Sequence, residues 1–246
     1  MLTVEVERLR LTPGTRLLDV GCGGGRHIRA SRHLPGVRAV AVDLGAKEVE
    51  ETRASLELLD KLPAADGGSI AEAGPWGVTR GSVYELPFAD ASFDCIIISE
   101  VLEHLHREHD ALRELSRVLK PGGVLAVSVP RTIPEAVCWA LSPQYRNSPG
   151  GHLRIYLRSQ LHGLIESHGY RITGSHSAHG LHSPYWWLRC ALGMDNEQIF
   201  PVALYHRFLM WDLLHRPALT RWMDAALSPL IGKSMVVYAE KQGAAA

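Results

Sequence analysis

The chain has 246 residues, 46% of them hydrophobic, with 26 Lys+Arg balancing 26 Asp+Glu. This is enough to bury a full core in one domain spanning 1–246. The zero net charge argues against a dedicated nucleic-acid binder, which carries a basic excess, and no run reaches the roughly 18 apolar residues of a membrane span.

Met1-Leu-Thr-Val-Glu-Val-Glu-Arg8 is charged and lacks the apolar stretch of a signal peptide, so a cytoplasmic protein is expected. Leu17, Leu18 and Val20 around Asp19 end a buried strand near 15–20. Gly21, Gly23, Gly24 and Gly25 then form a tight turn, and a helix follows near 26–33. Strand, glycine turn and helix N-terminus make a backbone pocket for a nucleotide-like ligand. Glycines keep side chains out of it and permit positive φ. Cys22, inside the turn, reads as a small residue beside the ligand and not as a reactive thiol. A second buried strand near 37–42 ends in Asp43, where doubly wound folds place the acceptor for ribose hydroxyls. A dinucleotide site would read G-x-G-x-x-G. Here Asp19-x-Gly21-x-Gly23-x-Gly25 sets a carboxylate before the turn, which suits a ligand with a positive amino group and repels a pyrophosphate.

A helix is predicted near 45–60, and residues 63–75 read as a long loop. Strands follow near 78–83 and 93–99, then a helix near 107–119 that Pro121, Gly122 and Gly123 stop, and a strand near 124–129. The loop Gly150-Gly-His-Leu-Arg-Ile-Tyr156 leads to a helix near 158–168, capped by Ser159 and ended by Gly169. Strands near 170–176 and 234–240 close the pattern. Alternating strands and helices predict an α/β fold: a doubly wound, seven-stranded, mostly parallel sheet covered on both faces. Residues 177–233 are different, rich in Tyr, Trp and Phe, and read as a helical insertion before the last strand. Its aromatics fill its own core, bind an acceptor, or meet a second subunit or a lipid. Arg207, Arg216 and Arg221 would lie on its polar face. His176, His179 and His182 have a spacing that tempts a metal reading, but without a nearby Cys or carboxylate they read as solvated. Cys22, Cys95, Cys138 and Cys190 form no C-x-x-C pair and read as reduced thiols.

Four segments together resemble the class I S-adenosylmethionine-dependent methyltransferases. They are Leu17–Arg26; Val40–Asp43; Gly81-Ser-Val-Tyr-Glu-Leu-Pro-Phe88 with 92–104; and Arg117-Val-Leu-Lys-Pro-Gly-Gly123. The likeness covers about residues 10–175 and is nearest to the small-molecule branch with quinone-biosynthesis and sugar O-methyltransferases. It implies S-adenosylmethionine as methyl donor. Asp19 would lie near the donor's amino end, with backbone from Gly21 and Gly23 and with Cys22 alongside. Asp43 would hold the ribose hydroxyls and Leu44 would pack by the adenine, flanked by Ser82 and Val83, with Ser99 at the sheet edge. The family usually carries Asp where this chain has Ser82, so that adenine contact loses its charge.

Methyl transfer needs alignment of donor and nucleophile, exclusion of water and removal of the acceptor's proton. Two readings of Ser99-Glu-Val-Leu-Glu-His104 compete. Either Glu100 approaches the donor and His104 is a general base, or Glu100, Glu103 and His104 hold a divalent cation such as Mg²⁺. The latter pattern resembles segments of quinone O-methyltransferases and small-RNA 3′-end methyltransferases. His152 is a second candidate base or a further ligand. The expected activity is O-methylation of a small hydroxyl acceptor, a sugar or a phenol. Carbon methylation, RNA 2′-O-methylation and a silent donor-binding protein remain alternatives. No nucleic-acid partner is expected, and a homodimer through 177–233 is a further expectation.

Overall fold

A computed structural model describes residues 2–61, 73–196, 198–215 and 217–243. Most of the loop expected over 63–75, and Arg216, lie outside the described residues. Seven strands, β1 (Arg16–Val20), β2 (Arg38–Asp43), β3 (Trp76–Arg80), β4 (Phe93–Ser99), β5 (Leu119–Pro130), β6 (Tyr170–Ala178) and β7 (Ser234–Lys241), form one sheet in the order β3-β2-β1-β4-β5-β7-β6. The first five pair in parallel, and β7 runs antiparallel to both β5 and β6. The expected α/β sheet is therefore present, seven-stranded and mostly parallel.

Period-two alternation divides each central strand between two cores. Leu18, Ile96 and Ile98 point to one face, where Leu112 and Leu115 of helix α3 (Glu108–Val118) cover them. Leu161 and Ile165 extend that cover; their helix, Arg158–Glu166, starts at Leu157, so Ser159 lies within its first turn and does not cap it. Leu17, Cys95 and Ile97 point to the other face, under Ile28 of α1 (Arg26–Ser31) and Leu56 of α2 (Ala46–Lys61). The register sets Asp19 opposite both Ala41 and Ile97, so the carboxyl ends of β1, β2 and β4 share one edge. Ligands bind at that edge in open α/β sheets.

Two boundaries differ from the sequence reading. Helix α3 ends at Val118, and β5 begins at Leu119, before the glycines expected to stop the helix. Pairing of Leu119 with Phe93, across a register shift, draws this segment into the sheet, and Gly122 takes φ +75 within it. The stretch after β5, left without structure in the sequence reading, forms α4 (Thr132–Leu141) and the short α5 (Pro143–Arg146), preceding α6 (Arg158–Glu166).

Between β6 and β7 lie three helices, α7 (His182–Leu192), α8 (Phe200–His215) and α9 (Ala218–Ile231). Leu181, Tyr185, Val202 and Leu209 form a small core of their own, which Trp186, Tyr205 and Phe208 extend. His176, His179 and His182 are not solvated. They are half-buried, His176 and His179 bond to Thr3, and burial lowers all three, His179 to about 3. Among the described residues, no helix is long and apolar enough to cross a membrane.

Candidate active site

The glycine turn follows from its contacts. Gly21 N–H and Cys22 N–H both donate to the Val42 carbonyl, at 2.8 and 3.2 Å, tying the turn to β2. Gly21 has φ +68, and a Cβ there would meet Val101 Cγ2 at 2.3 Å, so only glycine fits. Gly23 has φ +50 with nothing within 4 Å of a would-be Cβ, which leaves open space over the turn. Its N–H donates to Asp43 Oδ2 at 2.8 Å, and Gly45 N–H donates to Asp43 Oδ1 at 3.0 Å. Each Asp43 oxygen keeps a further lone pair.

Asp43 opens into a cavity of about 290 Å³ lined by Gly21, Leu44, Ser82, Val83, Tyr84 and His104 among others. Seven residues expected from sequence thus meet in one place, Gly21, Asp43, Leu44, Ser82, Val83, Glu100 and His104. Three others sit elsewhere. Asp19 is buried beneath the turn, where its Oδ2 accepts from Ile28 N–H at 3.2 Å. Burial pushes its carboxyl up to about 7, the strongest influence ahead of its bond to Ile28 and the nearby Arg26 charge. His27 lies 3.9 Å away, but burial holds it neutral, down to about 3, so the two form no ion pair at neutral pH. Cys22 packs its thiol beside Thr52, and burial raises it to about 12, leaving it inert. Ser99 bonds Ser128 Oγ at 2.8 Å and receives Arg26 Nη2 at 3.0 Å.

The segment after β4 is not one helical turn. Glu100 takes φ +58, and only Leu102–His104 is 3-10 helix. Glu100 Oε1 accepts from Ser128 Oγ at 2.9 Å. Glu103 is fully buried, and neither carboxylate oxygen has a hydrogen-bond partner. Burial, then the charge of Glu100, pushes its carboxyl well above the usual range. The grouping expected for a cation changes accordingly. Among the described residues, Glu103, His104 and His152 have ligand atoms within 4.8 Å of one another, and Glu100 stands outside that group. One carboxylate and two imidazoles suit softer divalent metals better than magnesium, which prefers oxygen ligands.

The rings of His104 and His152 lie 4.9 Å apart. His104 Nδ1 is 3.1 Å from the Gly151 carbonyl, and His152 Nδ1 is 2.6 Å from Glu135 Oε1. Both partners only accept, so both Nδ1 atoms carry hydrogen, and Nε2 is the ring nitrogen left in each for proton transfer. Glu135, fully buried on α4, also accepts from Trp139 Nε1, Tyr145 OH and Lys233 Nζ, at 3.0, 3.2 and 3.3 Å. Burial alone would raise its carboxyl, but the His152 bond and the Lys233 charge hold it low. Lys233 in turn lies over the Trp186 ring, 5.1 Å from its centroid. Lys233 and Trp186 line a second cavity of about 480 Å³, closed on its other sides by Arg26, Tyr185, Leu209 and Met210. The insertion aromatics therefore serve both their own core and a cavity wall. Glu135, Tyr145 and Lys233 were absent from the sequence reading. Thr132-x-x-Glu135 with Pro134 was a helix-start signal that could have placed Glu135 on a helix.

Residues 18–127 match the methyltransferase domain family. The chain is 34% identical over 128 residues to the O-methyltransferase resE of Aspergillus sclerotiorum, across 52% of this chain and 44% of that protein. It is 37% identical over 116 residues to the ubiquinone/menaquinone biosynthesis C-methyltransferase UbiE of Cereibacter sphaeroides, across 47% of this chain and 42% of that one. The YcgJ protein of Bacillus subtilis shares the fold with a TM-score of 0.61 at 19% identity, covering 96% of both chains. Over residues 18–127 the chain resembles the class I S-adenosylmethionine-dependent methyltransferases. These matches span under half the length of the two curated relatives.

S-adenosylmethionine fits this edge of the sheet. Gly23 leaves open space above the turn, and Asp43, with lone pairs to spare, lines a cavity of nucleoside size. One detail departs from expectation. The N–H groups of Gly21, Cys22 and Gly23 are already satisfied within the protein and are not the donors that a ligand would meet.

Proposed function

We propose that this chain transfers a methyl group from S-adenosylmethionine to a hydroxyl of a small acceptor, a sugar or a phenolic compound. The donor supplies an electrophilic methyl on a positive sulfur. Asp43 accepts from the ribose hydroxyls, and Leu44 and Val83 border the adenine. Ser82 stands where a charged acceptor is usual, but its Oγ already accepts from Tyr84 N–H at 3.2 Å, which weakens the adenine contact further. The acceptor occupies the neighbouring 480 Å³ cavity under the insertion.

The observation that carries this reading is the His104–His152 pair. A weakly acidic hydroxyl must lose its proton as it attacks, and two imidazoles with basic Nε2 atoms stand together for that task. His104 lines the donor cavity. His152 is oriented by Glu135, whose other partner, Lys233, lines the acceptor cavity. The pair thus touches the donor cavity through His104 and is linked to the acceptor cavity by way of Glu135 and Lys233. The two imidazoles supply the base directly, so no step is routed through a metal.

Similarity to a C-methyltransferase favours carbon methylation as the second reading. Incubation with methyl-labelled donor and a panel of hydroxylated sugars and phenols tests both. S-adenosylhomocysteine with an O-methyl product supports the first reading. A methyl on ring carbon supports the second, and no turnover of any acceptor together with tight donor binding points to a silent protein.

A further inference from the structure

The helical hairpin α8–α9 exposes an unusual surface. Leu204, Trp211 and Leu214 on α8, and Leu219, Trp222 and Leu230 on α9, all stand in solvent, Leu214 at 73% and Trp222 at 69% exposure. Their spacings of three, seven and eight keep them in one stripe along each helix. Several of them flank the link between the two helices, where Thr220 Oγ1 donates to Asp212 and ties α9 to α8.

Charge is sorted as sharply as polarity. The two helices contain two acids, and both turn inward. Asp212 is buried, and half-buried Asp224 accepts from Leu181 N–H at 2.9 Å. Arg207 is exposed within the apolar stripe of α8, and Arg221 is exposed on the other side of α9 from Leu219 and Leu230. A surface of Trp, Leu and Arg without an exposed acid suits neither water nor a neutral partner. It would also resist a symmetric dimer through itself, since an isologous contact brings like charges together.

We infer that this hairpin lies in the interfacial layer of an anionic lipid bilayer. Its tryptophans and leucines enter the headgroup–acyl boundary, and its arginines meet acidic headgroups. Neither helix spans the bilayer; the chain rests on it. Met210 and Leu213 of the same α8 line the 480 Å³ cavity, so the attachment sets that cavity beside the lipid. The inference stands on the surface alone and does not depend on the reaction proposed above.

Flotation of the full chain with phosphatidylcholine vesicles, with and without phosphatidylglycerol, tests it. Binding should be at least tenfold stronger to the anionic vesicles, weaken with salt, and blue-shift the tryptophan emission. Trp211→Glu with Trp222→Glu should lower binding at least tenfold. Arg207→Glu with Arg221→Glu, which leaves every apolar contact in place, should abolish the preference for phosphatidylglycerol. Absence of binding, equal binding to both vesicle types, or binding unchanged in both variants would overturn the inference. A lipid-free dimer that the tryptophan variant dissociates would also overturn it, assigning the face to a second copy.

Discussion

Glu135 holds His152 by a hydrogen bond of 2.6 Å, from a position where its own side chain is fully buried. A buried carboxylate that serves His152, Trp139, Tyr145 and Lys233 at once is a hub. Glu135→Ala should lower stability by about 3–5 kcal/mol, because it strands a half-buried lysine and a tyrosine hydroxyl. Glu135→Gln should keep the fold and donor affinity but cut kcat on the order of tenfold, by weakening the hold on His152. Thermal melts and steady-state kinetics of the pair measure this. Unchanged kcat in the Gln variant would remove Glu135 from the chemistry.

His104 faces the donor cavity without being needed to bind the nucleoside. Its replacement by Ala should lower kcat by about 10²-fold or more, the usual scale for a general base. Donor Kd should change less than threefold. Equal losses in both quantities would make His104 a binding residue.

The sheet was legible because its central strands are buried on both faces. The runs Leu17–Val20, Val40–Asp43 and Phe93–Ser99 are near-continuously apolar, and each ends at the functional edge. Asp43, Leu44, Ser82, Val83, Gly21 and His104 were legible because they follow those strands directly. Contacts between distant segments were not. Nothing local says that Lys233, at the start of β7, reaches Glu135 on α4. Nor does local spacing say that His179 is enclosed by Thr3 and the insertion, or that Glu100 turns from its neighbours to Ser128. Spacing of three and four placed Glu100 with Glu103 and His104 only on the assumption of a regular helix, and the positive φ at Glu100 breaks that assumption.

Asp19 makes stability depend on pH. Its folded-state carboxyl, at about 7, lies above the ordinary 3.8, so the folded chain binds more protons than the unfolded chain between those values. Stability associated with Asp19 is present below about pH 4 and is lost as pH rises to about 7, by up to about 4 kcal/mol. Denaturant unfolding of the native chain and of Asp19→Asn, at pH 5 and pH 8, should show the native chain losing more stability. Identical slopes would place Asp19 among ordinary carboxylates.

Removal of divalent ions should leave activity intact, since the proposed reaction uses the His104 and His152 imidazoles and no metal. Assay after dialysis against a chelator checks this. Full inactivation, reversed by added metal, would instead give Glu103, His104 and His152 to a cation.

The central claim is that a nucleoside sulfonium lies over Gly23 with its ribose on Asp43, and calorimetric titration with S-adenosylhomocysteine tests it most directly. The native chain should bind, and Asp43→Ala should raise Kd at least tenfold, as expected from two ribose hydroxyls losing their partner at about 1–3 kcal/mol. No heat of binding in the native chain, or the same Kd in both proteins, would contradict it.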